Sequence, residues 1–437
     1  LFRSNPVDSF TGPLVKNPAI TDAAGATLAY RSTHEEIGPI ESRVVTVATP
    51  SRLPLKLSYG LDFDVIATDT TPRAIPRCYV DNGNAFLIGS YVFAIPYRDV
   101  PLSHLWREPL PIDLCFDVPH DIAVAGAPSE GVSLNSIYEL LFLHLAFGFE
   151  PVFSGSAAGH SYAIYDLRSS PAKPDAYSTV AGRMNTILED VTATFGALDA
   201  DIFHIMYHGD PVGLEATFGF ASYAPELAAP DSLYNNLLSH ETIHHFVGVH
   251  CGDYDDPWWK EGITNYLGYV TAARAGLVSA EAFRSDVLRS FDFSAAKYQH
   301  PLSSEFVREN LYAKGLETLV YGKGAQVAML LDHRVRGASG NRVRLDDVIA
   351  ELTRRYRGRG FHRADMVALF DTPAGVDIDP LLDAYVDGVV TIPDSLLNAA
   401  FGDLRRMGAF GPRNAERAAA PVRTGAGPYP IAFIKTR

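Results

Sequence analysis

The chain has 437 residues with 51 acidic and 37 basic side chains, a formal charge of −14, 47% hydrophobic residues and 20% charged residues. That apolar content excludes global disorder. So acidic a surface repels phosphate backbones and excludes sequence-independent nucleic-acid binding as a starting point. At roughly 150 residues per domain, the length predicts two or three domains.

Three cysteines (Cys78, Cys115 and Cys251) are too few for a disulfide scaffold, and their odd number leaves at most one bridge, with Cys78 to Cys115 as the candidate. The chain opens on Leu1 rather than methionine. An N-terminal segment is read as removed or not shown, and a periplasmic or secreted location is favoured over a cytoplasmic one.

Up to about Asp166 the pattern is β-rich. Residues 43–49, 55–59, 84–94 and 161–165 show alternation or β-branched enrichment between Gly, Pro and Asp punctuation, which predicts a β-sandwich-like domain over residues 1–170. The most apolar stretch, residues 137–149, is too short to cross a bilayer and carries Glu139 and His144, so it is read as interior and no membrane span is expected. Residues 169–175 read as a linker. Beyond them the period changes to that of an amphipathic helix over 177–195, followed by a buried strand over 201–207. Helices are then expected over 233–247, 258–275, 280–291, 323–335, 345–356 and 379–386, with a Gly/Pro/Arg-rich tail at the end.

The chemistry is concentrated in Ser239-His240-Glu241-Thr242-Ile243-His244-His245. His240 and His244 lie four apart, on one face of a predicted helix, where two imidazoles can converge on one metal. Glu241 stands beside the first histidine, where a carboxylate can take a proton from a metal-held water. Catalytic zinc takes three protein ligands and leaves one position open. Two candidates for the third ligand follow. His250 sits where a metzincin would carry its last histidine, but Val247 occupies the position that needs glycine. Glu261, after the Trp258-Trp259 pair, lies on the next helix across the loop 248–257. Asn265, one turn beyond Glu261, can orient a ligand from behind.

HExxH followed by W-x-x-E-G-x-x-x-Y (Trp258, Glu261, Gly262, Tyr266) resembles the gluzincin metallopeptidases, the M1 aminopeptidases and especially the M61 glycyl-aminopeptidase family. The resemblance extends through Tyr321-Gly322-Lys323-Gly324-Ala325, Arg344-Leu345-Asp346-Asp347 and Leu382-Asp383-Ala384-Tyr385, and spans about residues 177–402. It implies an α+β multidomain protein: the N-terminal β domain, a thermolysin-like α/β catalytic domain over 171–275, its helical part over 276–411 and a tail over 412–437. A C-terminal PDZ-like domain, common in M61 proteins, is not expected in residues 412–437.

The resemblance also implies one Zn2+ per chain held by His240, His244 and Glu261, with Glu241 as general base and Tyr321 as oxyanion donor. Tyr312 is a rival for the last role. A peptide is the implied substrate and aminopeptidase action the implied activity. Val212-Gly213-Leu214-Glu215-Ala216 only partly matches the family's substrate strand. Glu215 is the candidate anchor for a substrate amine, Glu226 the alternative, and Gly213 would let a peptide approach the strand. Two other functions stay open: a binding protein that keeps the fold after losing full substrate recognition, and a zinc hydrolase of non-peptide substrates. Oligomeric state is not readable from the sequence.

Overall fold

The computed structural model describes residues 2–4, 14–37, 40–47, 56–62, 78–81, 84–96, 112–115, 124–125, 131–134, 140, 143–168, 174–197, 202–207, 214–216, 219–222, 232–247, 257–288, 293, 296–311, 315–357 and 360–412. Among them, the N-terminal part is built from antiparallel pairs. One four-stranded sheet runs Tyr30–Ile37, Ile40–Val47, Phe2–Ser4, Ala94–Pro96. A second runs Val124–Ala125, His144–Phe147, Asn84–Ile88, Tyr79–Asp81. Two ribbons pair Leu14–Thr21 with Lys56–Asp62 and Gly131–Leu134 with Ile112–Cys115.

The expected strand over 84–94 is interrupted, because Gly89–Val92 forms a helical turn between the strands Asn84–Ile88 and Ala94–Pro96. Leu143, Leu145 and Ala146 are buried, in keeping with the interior reading of that apolar run. Cys78 and Cys115 are separate free thiols. Cys78 is buried, and its Sγ accepts the Ile88 N–H at 3.1 Å, whereas Cys115 is exposed.

The second body is a five-stranded sheet ordered Phe153–Ala157, His160–Asp166, Ile202–Tyr207, Gly219–Ser222, Leu214–Ala216. Its three central strands are parallel, so the chain must cross over between them. Between His160–Asp166 and Ile202–Tyr207 it does so through the helix Pro174–Phe195, which starts on a proline, whose missing N–H costs nothing in a first turn. Val180, Met184, Ile187, Leu188 and Val191 recur at three- and four-residue spacing and are all buried. The expected boundary at 170 therefore falls inside this crossover, between strands of one sheet. The end of the expected linker, Pro174 and Asp175, is helical.

The remaining described chain is helical. Ser232–His244 lies against the edge strand Leu214–Ala216 and packs along Thr264–Arg274. Gly324–Ser339 is the central helix, buried on nearly every side, with Thr264–Arg274, Leu345–Arg355, Arg363–Ala374 and Asp394–Arg406 around it. Among the described residues of this part, the α-helices Glu305–Asn310, Arg363–Ala374 and Asp394–Arg406 have no counterpart in the sequence reading. The last carries a legible signal, Leu397, Ala400, Phe401 and Leu404 at helical spacing and all buried. The helix expected over 280–291 ends at Val287, and the one expected from 323 runs on to Ser339, where Gly340 stops it at φ 62°.

Among the described residues, two segments are wound as π-helix. Trp258–Ile263 and Thr318–Lys323 are single π-helical turns leading into Thr264–Arg274 and Gly324–Ser339. Such turns are rare and concentrate at functional sites. They pack on each other through glycine. A Cβ on Gly262 would stand 2.6 Å from the Cα of Gly324, and a Cβ on Gly324 would stand 2.8 Å from the Cα of Gly262. Because the obstructing atoms are backbone, no side-chain rotation relieves the clash. Gly262→Ala is therefore expected to destabilise the protein by about 1–3 kcal/mol, despite the ~1 kcal/mol that Ala gains over Gly in helix propensity. Urea unfolding of the variant measures it, and an unchanged midpoint would mean the two turns separate freely.

Candidate metal centre

The helix Ser232–His244 brings His240 and His244 to one face, as the four-residue spacing requires, and both are buried. Their Nε2 atoms lie 2.8 Å apart. The π-turn Trp258–Ile263 inserts Glu261 between them, with its Oε2 3.2 Å from His244 Nε2 and 3.4 Å from His240 Nε2. Three donor atoms bound to one tetrahedral zinc at 2.0–2.1 Å would stand about 3.3 Å from one another. The observed separations bracket that edge, so the donor set fits a single cation in both chemistry and spacing. His244 Nδ1 lies 3.0 Å from the Val247 carbonyl, which selects the tautomer whose Nε2 lone pair faces the cluster. His240 Nδ1 has no hydrogen-bond partner among the described residues.

Glu241 occupies a different place. It is buried and a carboxylate oxygen lies within 4.8 Å of a ring nitrogen of His240 and of His244, so it too could be counted with a metal-holding group. Its nearer oxygen, however, stands 4.0 Å from His240 Nε2, farther than Glu261 from either imidazole. Glu261 thus closes the triangle while Glu241 flanks it. Tyr321 comes from the other π-turn, and its ring stacks on His240 with centroids 5.8 Å apart.

Asn265 sits beside this group, but its contacts differ from the expected support of a ligand. It donates through Nδ2 to the Tyr321 carbonyl at 3.2 Å and accepts from Asn236 Nδ2 at 2.8 Å. Both of these hydrogen bonds go to Asn236 and the Tyr321 segment rather than to His240, His244 or Glu261. Asn236 was not singled out by sequence reading. The only signal was its position four residues before His240, on the ligand face.

The electrostatics follow from burial and proximity. Burial, then the neighbouring His244, pushes His240 down to about 4, so the imidazole is neutral and able to ligate at pH 7. Burial alone would raise Glu261. The Lys260 ammonium at 3.2 Å, with His244 and His240, outweighs it and holds the carboxyl well below its usual range.

Glu215 lies on the edge strand Leu214–Ala216, paired with Ala221, on the strand next to the HExxH helix; its side chain lies outside the described residues. Gly213, Glu226, His250, Cys251 and Tyr312 also lie outside them. His245, in the turn after the HExxH helix, is buried.

The shift of His240 has a consequence for the metal-free protein. Its folded value of about 4 lies below its ordinary 6.5, so the unfolded chain binds more protons in between, and stability falls as pH drops from about 6.5 toward 4. Urea unfolding of chelator-treated protein should show a loss of up to ~3 kcal/mol across that window. His240→Asn should show a shallower loss. Equal slopes for the two proteins would contradict the assignment.

No protein-family model matches the chain, and no curated protein matches its sequence. Solved structures do resemble it. An aminopeptidase N family protein from Idiomarina loihiensis aligns over 91% of this chain and 73% of its own, with a TM-score of 0.67 and 16% identity. An M1 zinc metallopeptidase from Deinococcus radiodurans aligns over 90% of this chain and 87% of its own, with a TM-score of 0.56 and 14% identity. A mutant of the latter, bound to a Tyr-Ser-Ala substrate, aligns over the same shares with a TM-score of 0.54. At these identities the likeness establishes the fold: this chain has the mixed helix-and-sheet architecture of the M1 and aminopeptidase N structures.

Proposed function

We propose that the chain is a zinc-dependent peptidase, most simply an aminopeptidase, that holds one zinc ion through His240, His244 and Glu261. The observation that carries this is the convergence of two imidazole nitrogens and a carboxylate oxygen, all buried and 2.8–3.4 Å apart, with a second carboxylate alongside. The fold shared with zinc aminopeptidases supports it. On this reading residues 171–411 form the catalytic module, with the two preceding strands of its sheet. Among the described residues no helix is long and apolar enough to cross a membrane.

When bound, zinc would supply Lewis acidity at a scissile carbonyl and lower the pKa of a water toward ~7. Glu241, close to the metal group without closing it, accepts the proton of that water and passes it to the leaving amine. Tyr321 donates a hydrogen bond to the developing oxyanion, a contribution of roughly 3 kcal/mol for donors of this kind. Lys260 offsets the charge of Glu261 on its outer oxygen, leaving Oε2 for the metal. Glu215, on the strand bordering the HExxH helix, is the proposed anchor for the ammonium of a peptide N-terminus, with Gly213 proposed beside it as a substrate-binding position.

Metal analysis of the purified protein should find one zinc per chain, and the protein should hydrolyse a panel of aminoacyl chromogenic substrates. Glu241→Gln should keep the metal and lose about 10²–10⁴-fold in kcat, the range for a general base. Absence of zinc, or an unchanged kcat, would defeat the proposal. Retention of zinc in a wild type inert on every substrate would instead favour a binding protein of the same fold.

The exopeptidase part is tested separately. Glu215→Ala should raise KM for substrates with a free amino terminus and leave N-acylated peptides unaffected. Equal losses on both kinds of substrate would place the anchor elsewhere.

A further inference from the structure

The elements that carry the metal group and Tyr321 are separate in sequence, yet one side chain bonds to two of them from the third. Asn265 stands on the helix Thr264–Arg274, one turn after Glu261. Three residues before it, Gly262 meets Gly324 at the base of the Tyr321 π-turn. Three residues after it, Gly268 faces the HExxH helix so closely that a Cβ there would stand 2.6 Å from Asn236 Oδ1 and 3.1 Å from the His240 backbone nitrogen. Between these two close approaches, Asn265 Nδ2 donates to the carbonyl of Tyr321 itself and Asn265 Oδ1 accepts from Asn236. Asn236 is buried and lies one turn before His240 on the same helix.

We propose that Asn236 and Asn265 form a positioning relay that sets the Tyr321 π-turn against the HExxH helix, and so sets where the Tyr321 hydroxyl stands relative to His240 and His244. The catalytic part of this inference rests on the peptidase reading; the relay itself does not. The chain of bonds has a single polarity. A carbonyl only accepts, so Asn265 must present its NH2 to Tyr321 and its oxygen to Asn236, and Asn236 must then present its own NH2. Aspartate at either position has nearly the same shape and breaks the chain. At 265 it removes the donor to Tyr321, and at 236 it sets a carboxylate against an acceptor. Because a carboxylate at the buried Asn236 also costs desolvation, the relay is distinguished from packing by where the effect falls, in residues 318–323, and by its dependence on Tyr321.

The test has a structural and a kinetic arm. In the protein as purified, Asn236→Asp and Asn265→Asp should speed hydrogen exchange in residues 318–323 by about tenfold or more, and leave the second half of the helix Gly324–Ser339 and the zinc content unchanged. Asn236→Ala removes the same donor without adding charge and stands in if an aspartate variant does not fold. Unchanged exchange in 318–323, or an equal rise throughout the helical region, would overturn the relay whatever the enzyme's activity.

In the kinetic arm, each variant should lower kcat by about 10- to 100-fold with KM within twofold, as a displaced catalytic group does. The loss should largely vanish in a Tyr321→Phe background. Losses that simply add in the double variant would show that the amides act other than through Tyr321 and would also overturn the proposal. A wild type without peptidase activity would defeat the functional reading alone, and the exchange measurement would still decide the relay.

Discussion

The site depends on a backbone contact made by two residues that take no part in chemistry. Gly262 and Gly324 bring two π-helical turns together at a separation that admits no Cβ on either side. One turn carries Glu261 and the other Tyr321, so the approach of the two backbones determines how closely a carboxylate from one helix and a phenol from another can flank the same pair of imidazoles. A π-turn redirects the side chains within it relative to the α-helix that follows. The helix Thr264–Arg274 can thereby pack on the HExxH helix at Gly268 while its leading turn points Glu261 into the cluster.

Burying two imidazoles and two carboxylates at one point is costly unless the surroundings are rigid and each group is paired. The helical half supplies that rigidity through its own buried charges. Arg336, fully buried on the central helix, donates to Asp332 at 3.0 Å and to Asn341 at 2.8 Å. Asp332 in turn accepts the Tyr266 hydroxyl at 2.8 Å and the Leu345 N–H at 2.8 Å. Arg274 pairs with Asp346 at 2.6 Å and reaches the Ala409 carbonyl at 3.2 Å. Tyr266 and Arg274 belong to the helix that follows Glu261. The helix Thr264–Arg274 is therefore tied to the central helix through Tyr266, and to Asp346 and Ala409 through Arg274, by hydrogen bonds with specific partners and not by apolar contact alone.

The architecture is shared with metallopeptidases at 14–16% identity. Most positions therefore differ while the layered arrangement is the same, as expected when fold is set by burial pattern rather than by particular side chains. Within this fold Asn236 and Asn265 join two elements by hydrogen bonds. Two amides span the gap between the HExxH helix and the Tyr321 turn, and their orientation is dictated by a single backbone carbonyl.

Much of this was legible in the sequence. The spacing of His240 and His244 places them on one helix face, because 3.6 residues per turn leaves no other outcome. The alternating and β-branched runs before Asp166 and the apolar stripe of residues 180–191 likewise follow from periodicity alone. What the sequence could not decide were relations between segments. The strands 153–157 and 160–166 look like a continuation of the N-terminal β region, and only their pairing with Ile202–Tyr207 assigns them to the other sheet. The π-turns have no local signature, since one extra residue in a helical turn is stabilised by the glycine contact across from it, 62 positions away. Asn265 reads equally well as a solvated residue or as support for a ligand. Its true partners, Asn236 and the Tyr321 carbonyl, lie 29 and 56 residues off and meet it only when three helices pack. Local periodicity determined which residues share a face; the tertiary structure decided which faces meet, because that choice is made by close backbone approach and buried hydrogen bonds between distant segments.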